Sequence, residues 1–294
     1  MSGKKRAHSR NVLAQPFLKW AGGKRQLISI IQDFVPKKYT EYYEPFVGAG
    51  AVLFSIQPTQ AVINDTNSEL INCYRVIRDK PEELLTLCQH YKDNHSKEHY
   101  YKLRAQDRND DFKYLSPVQK AARIIYLNKT CFNGLFRVNS SGQFNVPYGN
   151  YSNPSIAQYS VIKAVSAYLN QADVRILEGD FEQAVATAKK GDFIYFDPPY
   201  HPISDTSFFT GYSVNGFGEK EQTRLRDTCD RLSDRGCQIL LSNSAAPLIK
   251  SLYNDSRYEI VEVKASRAIN AVSSKRGKIS ELLIYNKYEC LIDN

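Results

Sequence analysis

Short apolar runs rather than long amphipathic stretches mark both ends of the chain. Glu41-Tyr42-Tyr43-Glu44 reads as a short strand, followed by Pro45-Phe46-Val47-Gly48-Ala49-Gly50 and an apolar helix through Phe54. Ala61-Val62-Ile63-Asn64 is a second strand. Runs of the same kind return at Val174-Arg175-Ile176-Leu177, Asp192-Phe193-Ile194-Tyr195-Phe196, Gln238-Ile239-Leu240-Leu241, Ile260-Val261-Glu262-Val263 and Leu282-Leu283-Ile284-Tyr285. Their Val, Ile, Leu and Phe content predicts strands buried on both faces, as in a parallel sheet covered by crossover helices. Helical patterns over residues 219–235 and 245–254 provide such crossovers. The fold class is therefore α/β.

Between these blocks the period changes. Helical spacing dominates, as in Pro117-Val118-Gln119-Lys120-Ala121-Ala122-Arg123-Ile124-Ile125-Tyr126. From Asn128 to Asn153 a polar-aromatic loop follows, holding Lys129, Phe132, Phe136, Arg137, Phe144, Tyr148 and Tyr151. A loop of that length in a globular chain is usually functional or disordered. Basic residues interleaved with aromatics suit phosphate contact and base stacking. The expected organisation is one domain built from residues 1–67 and 171–294, with a mainly helical domain, 68–170, inserted in it.

Composition narrows the class. At 294 residues the chain has room for roughly two domains. With 42% hydrophobic and 24% charged residues it is neither disordered nor fibrous. No run approaches 18 apolar residues, so no membrane span is expected. The N-terminus, MSGKKRAHSRNV, is basic without an apolar core and does not read as a secretory signal. Cys73, Cys88, Cys131, Cys229, Cys237 and Cys290 form no C-x-x-C pair, so reduced thiols in a cytoplasmic protein are expected and no metal. Lys plus Arg is 39 against 31 Asp plus Glu, a net charge of +8. The excess gathers in residues 1–25 and 264–278, which hold no acid and suit a polyanion.

Three motifs bear on chemistry. Glycines in Glu44 to Gly50, between a strand and a helix, allow the backbone to approach a ligand. The dinucleotide fingerprint is incomplete, with Leu53 where its last glycine would stand, which disfavours a nicotinamide cofactor. Asp65, at the end of the next strand, suits ribose hydroxyls but serves equally as a helix N-cap. The apolar strand 192–196 runs into Asp197-Pro198-Pro199-Tyr200. There the two prolines stop the strand and remove two donors. Asp197 and the Pro198 carbonyl can then accept hydrogen bonds from an exocyclic amino group, and Tyr200 can stack on its ring.

With Phe17-Leu18-Lys19-Trp20-Ala21-Gly22-Gly23-Lys24 ahead of them, these motifs stand in the order found in α-class DNA adenine-N6 methyltransferases of the Dam type, which the chain resembles over residues 15–287. The likeness is nearest to GATC methylases that accompany restriction enzymes. It implies an S-adenosylmethionine-dependent methyltransferase sheet, Rossmann-like, in which the insert is the target-recognition domain. The cofactor would be S-adenosyl-L-methionine, leaving as S-adenosyl-L-homocysteine. The partner would be double-stranded DNA containing GATC, with a cognate restriction endonuclease acting separately, in a prokaryotic or phage setting.

Position by position, the resemblance assigns Trp20, Lys24, Glu44, Phe46 and Gly48-Ala49-Gly50 to the cofactor. Asp65 takes the ribose, Asp180-Phe181 the cofactor adenine, and Asp197 to Tyr200 the catalytic pocket. Lys19 would read the first guanine. In Phe132-Asn133-Gly134-Leu135-Phe136-Arg137, Phe132 would insert among the bases, Asn133 and Leu135 would read the central pairs, and Arg137 the later guanine. Arginine bidentate to guanine is also what base chemistry favours. Lys275 and Arg276 are expected to contact phosphate. Four rival readings stand beside this one: an N4-cytosine methylase, an RNA substrate, a catalytically silent DNA-binding protein, and a nucleotide-dependent oxidoreductase.

Overall fold

The computed structural model describes residues 10–24, 26–203, 216–266 and 278–290. Helix α1 (Ile28–Asp33) precedes strand β1 (Tyr42–Glu44), helix α2 (Ala51–Ile56) and strand β2 (Gln60–Asp65). Helices α3 (Ser68–Asp79), α4 (Pro81–Asp93), α5 (Lys97–Ala105), α6 (Pro117–Thr130) and α7 (Tyr159–Gln171) follow, then strand β3 (Asp173–Glu178). The remainder is α8 (Phe181–Ala184), β4 (Phe193–Phe196), α9 (Glu219–Asp234), β5 (Gln238–Ser244), α10 (Pro247–Leu252), β6 (Glu259–Ser266) and β7 (Lys278–Tyr285). Among the described residues no helix is long and apolar enough to cross a membrane.

Two units emerge. One comprises Lys24–Val47, Gln60–Thr66 and Gly179–Asn294. Its strands lie in the order β2-β1-β4-β5-β7-β6. β2, β1, β4 and β5 run parallel, with Tyr42 beside Ala61 and Phe193, and Phe193 beside Gln238. β7 and β6 are antiparallel, with Ser244 opposite Glu281. Every residue of β4 is buried, as its unbroken apolar run predicts, and every residue of β1 is buried too, the carboxylate of Glu44 included. Tyr43, Ile194, Phe196, Ile239 and Leu241 pack with Leu225, Cys229 and Leu232 of α9 and with Ile249 of α10.

The expectation of burial on both faces fails at two strands. β6 ends the strand order, and its Ile260 is 36% exposed. In β3, Val174 is buried but Arg175 and Leu177 are exposed, the alternation of a strand covered on one face.

The other unit comprises Met1–Gly23, Gly48–Thr59 and Asn67–Glu178. The residues of 68–170 thus share it with the N-terminal segment and with α2. α6 packs on α3, α4 and α5. It starts at Ser116 through a capping box with Gln119 and carries Pro117 in its first turn, both strong helix-start signals. At its centre Arg123 is fully buried. Its charge is matched by Asp107 at 2.7 Å and Glu69 at 3.4 Å, and its remaining donors reach the carbonyls of Leu103 and Arg104.

Candidate active site

From β1 the sheet order runs one way to β2 and the other way to β4 and β5, a reversal that opens a crevice at the carboxyl ends of β1 and β4. Asp197-Pro198-Pro199-Tyr200 leaves β4 at that point. Lys24 Nζ lies 2.8 Å from Asp197 Oδ1 and 4.7 Å from the centre of the Tyr200 ring. Both partners of the ion pair are largely withdrawn from water. Burial is the main cause that pushes the Asp197 carboxyl up to about 6; Lys24 pulls it down and Glu281 pushes it further up.

The segment is clamped from β5, β7 and α9. Tyr200 Oη donates to Glu281 Oε2 at 2.7 Å. Gln222 Nε2 donates to the Pro199 carbonyl at 3.0 Å, and Asn243 Nδ2 donates to Gln222 Oε1 at 3.0 Å. The His201 N–H donates to Asn243 Oδ1 at 3.2 Å. Gln222 and Asn243 are fully buried, so each would be costly without these partners.

Five more of the expected cofactor residues gather at the same carboxyl ends. Glu44 is 2% exposed and accepts from Tyr42 Oη at 2.8 Å. Asn64 donates to the carbonyls of Pro45 and Gly179 at 3.0 and 2.9 Å, joining the loops after β1 and before α8. The Gly179 N–H donates to the Asp65 carbonyl at 3.2 Å. The alternative role for Asp65, capping α3, belongs instead to Asn67, whose side chain accepts from the Leu70 N–H. Phe46 packs on Phe181 at 5.4 Å and on Phe217 at 5.5 Å. Asp180 caps α8 through the Glu182 N–H and pairs with Arg224, whose guanidinium lies 4.4 Å over the Phe181 ring.

In the other unit, Trp20 stacks on Phe136 with ring centres 4.7 Å apart and 27° between planes. Trp20 also closes on the glycine loop: a Cβ at Gly48 would lie 3.1 Å from its Cδ1. Gly48 and Gly50 hold φ of +49° and +74°, and a Cβ at Gly50 would meet Tyr74 Oη at 2.6 Å. Ala49 between them is half-buried. Tyr74 Oη donates to the Gly48 carbonyl at 3.0 Å.

Lys19 and the segment 132–137 are brought together by one buried side chain. Asn128 Oδ1 accepts from the Lys19 N–H at 2.8 Å, while its Nδ2 donates to the carbonyls of Lys19 and Gly134 at 2.8 and 3.1 Å. Gly134 is buried, and a Cβ there would fall 2.3 Å from Lys19 Cδ. Around it Phe132, Asn133, Leu135 and Arg137 are exposed. Bridges Cys131–Tyr148 and Val138–Phe144 fold the long loop into a hairpin. Arg137 Nε donates to Asn145 Oδ1 at 2.7 Å. Lys275 and Arg276 lie outside the described residues.

Residues 20–269 match the family model of the D12 class N6 adenine-specific DNA methyltransferases. The chain belongs to that family. A Type II methyltransferase of Lactococcus lactis subsp. cremoris is 50% identical over 272 residues, covering 92% of this chain and 95% of that protein. A Type II methyltransferase of Methanocaldococcus jannaschii is 41% identical over 290 residues, covering 92% and 99%. A DNA adenine methylase of Vibrio cholerae is 34% identical over 272 residues, covering 91% and 94%.

Membership removes the oxidoreductase reading and favours adenine over cytosine. For a D12 methyltransferase the sequence reading left out the clamp around the Asp-Pro-Pro-Tyr segment. Gln222 faces inward from α9 and could have been suspected as a polar residue on that helix's apolar side. Phe217 and Arg224, which cover Phe46 and Phe181, carry no local signal of their own.

Proposed function

We propose that this D12 methyltransferase transfers a methyl group from S-adenosylmethionine to N6 of adenine within GATC in duplex DNA, on a base turned out of the helix. One observation carries the reading. An amino group, Lys24 Nζ, already rests against the Asp197 carboxylate and over the Tyr200 face, the two groups that would receive the adenine amino group. The methyl donor fits the residues present. Glu44 and Asp65 place carboxylates at the carboxyl ends of β1 and β2, and the half-buried Phe46 places an aromatic ring beside the buried Phe181. The roles of Trp20, Lys24, Gly48-Ala49-Gly50 and Asp180 as further cofactor residues follow the family resemblance.

S-adenosylmethionine, when bound, supplies an electrophilic methyl group on sulfur. The chain's own residues hold the nucleophile. Asp197 accepts a hydrogen bond from one N–H of the adenine amino group and the Pro198 carbonyl accepts from the other, which turns the nitrogen lone pair outward. Tyr200 stacks on the base. Pro199 keeps the segment rigid, and its carbonyl is held by Gln222. Positive charge that develops on N6 is stabilised by the Asp197 carboxylate in a site of low polarity. Turning the base out costs about a few kcal/mol, offset by stacking in the pocket.

The exposed hairpin supports sequence reading. Phe132 presents an aromatic face for insertion, and Asn133 and Leu135 flank it. Asn145 holds Arg137 by Nε, which leaves the two terminal nitrogens for the O6 and N7 of a guanine. Lys19, tied to the hairpin by Asn128, takes the first guanine. Lys275 and Arg276 are assigned to phosphate.

The test is transfer of labelled methyl to two matched duplexes, one with GATC and one with GTAC. Label on the first alone, recovered as N6-methyladenine, is expected. Label on both would refute the recognition assignment, and an Asp197→Ala enzyme with near wild-type transfer would refute the pocket.

A further inference from the structure

The reading of the pocket leaves one carboxylate beside it without a task. Glu281 stands at the near end of β7, one residue outside the apolar run, opposite Ser244 of β5 and Val263 of β6. Its Oε2 accepts from Tyr200 Oη at 2.7 Å. The Tyr200 ring therefore has two constraints. Its backbone is fixed by Pro199, whose carbonyl Gln222 holds, and its hydroxyl by Glu281. Between them lies the face over which Lys24 Nζ sits.

We propose that Glu281 is a positioning residue for methyl transfer: through the Tyr200 hydroxyl it sets the tilt of the ring on which the target adenine stacks. The inference rests on the assignment of Asp197 and Tyr200 as the catalytic pocket. A tyrosine tethered only at its backbone can rotate about two side-chain torsions, and its ring edge then swings through the space a flat base needs. A hydrogen bond to a carboxylate, stronger than one between neutral groups, removes that freedom before the base arrives. Misplacement of a bound base by about 1 Å is enough to lower transfer by about a hundredfold. The carboxylate also faces the same pocket as Asp197, where it pushes the Asp197 carboxyl up.

The experiment measures single-turnover transfer on a GATC duplex for Glu281→Ala, Glu281→Gln, Tyr200→Phe and the double variant Tyr200→Phe/Glu281→Ala. DNA affinity and cofactor KM are measured alongside. Glu281→Ala should lower the rate by about ten- to a hundredfold with DNA affinity and cofactor KM unchanged within about twofold. Tyr200→Phe removes the hydroxyl that Glu281 holds, so it should lower the rate by a similar factor. The double variant should then be no slower than the worse single one. Glu281→Gln keeps an acceptor of the same shape and should restore the rate to within about threefold of wild type.

Additive losses in the double variant, a glutamine enzyme as slow as the alanine one, or equal losses of rate and DNA affinity would each overturn the proposal. Asp197→Ala separates this from failure of the pocket assignment. If Asp197→Ala abolishes transfer while Glu281→Ala does not slow it, only the role of Glu281 is wrong. If Asp197→Ala is active, the pocket itself is wrong.

Discussion

Lowering the pH should switch off capture and methylation of DNA around pH 6, well above where a carboxylate ordinarily titrates. The carboxyl of Asp197 is raised from 3.8 to about 6, because loss of hydration at the end of β4 outweighs the attraction of Lys24, and Glu281 adds repulsion. Only the ionised form offers both oxygens as acceptors to an adenine amino group. With a midpoint near 6, about nine-tenths of the enzyme carries that form at pH 7 and about one-tenth at pH 5. Initial rates at low DNA concentration report kcat/KM and hence the free enzyme, in which Lys24 holds its place. Between pH 7 and pH 5 that quantity should fall by about tenfold, with a slope of one per pH unit at the acid end. An ordinary carboxyl would lose less than about a tenth over the same range. A limb centred near pH 4, or a flat profile with DNA binding intact, would refute the reasoning.

The same shift has a sign for stability. The folded value lies above the ordinary one, so the contribution of Asp197 is present below about pH 4 and is lost as pH rises through about 6. The difference amounts to about 3 kcal/mol. Wild type should therefore lose stability relative to Asp197→Asn across that window, which urea unfolding at a series of pH values would check.

Three further outcomes follow from the other unit. Arg137→Ala should relax discrimination at one base pair by about 1–3 kcal/mol, read as transfer to duplexes altered at each position of the site; an equal loss on every duplex would mark a phosphate contact. Asn128→Ala removes three hydrogen bonds between a buried amide and the backbones of Lys19 and Gly134, and should destabilise the fold by about 2 kcal/mol or more while weakening discrimination; an unchanged urea midpoint would contradict it. Gly50→Ala forces a Cβ against Tyr74 Oη and Phe54 Cε2 at a φ of +74°, and should cost about 2–4 kcal/mol in thermal unfolding; an unaltered midpoint would show that the loop can relax.

Much of the molecule was written locally. The run of β4 announces a sheet covered on both faces because successive residues, which point to opposite faces, are all apolar. The capping box at Ser116 announces α6, and two prolines after a buried strand announce a stop with its carbonyls turned to a crevice. Those signals depend on neighbours in sequence, so the Asp197 to Tyr200 segment and the glycine loop stand out locally, whereas the 132–137 segment was singled out by the family resemblance. What lies far apart in the chain could not. Ile260 reads as a core residue, but β6 ends the strand order, and position in a sheet is set by pairing rather than composition. Asp65 reads as a possible cap until Asn67 is seen to do that work.

The sequence by itself determined the α/β class and the order of the motifs, because residue type and local period decide both, and the resemblance those motifs carry led to the family. Only the tertiary structure placed Lys24 on Asp197, 173 residues away in the chain; Glu281 behind Tyr200; and Asn128 between Lys19 and Gly134. Each of those contacts joins side chains whose encounter depends on strand order and helix packing, and no local pattern encodes it.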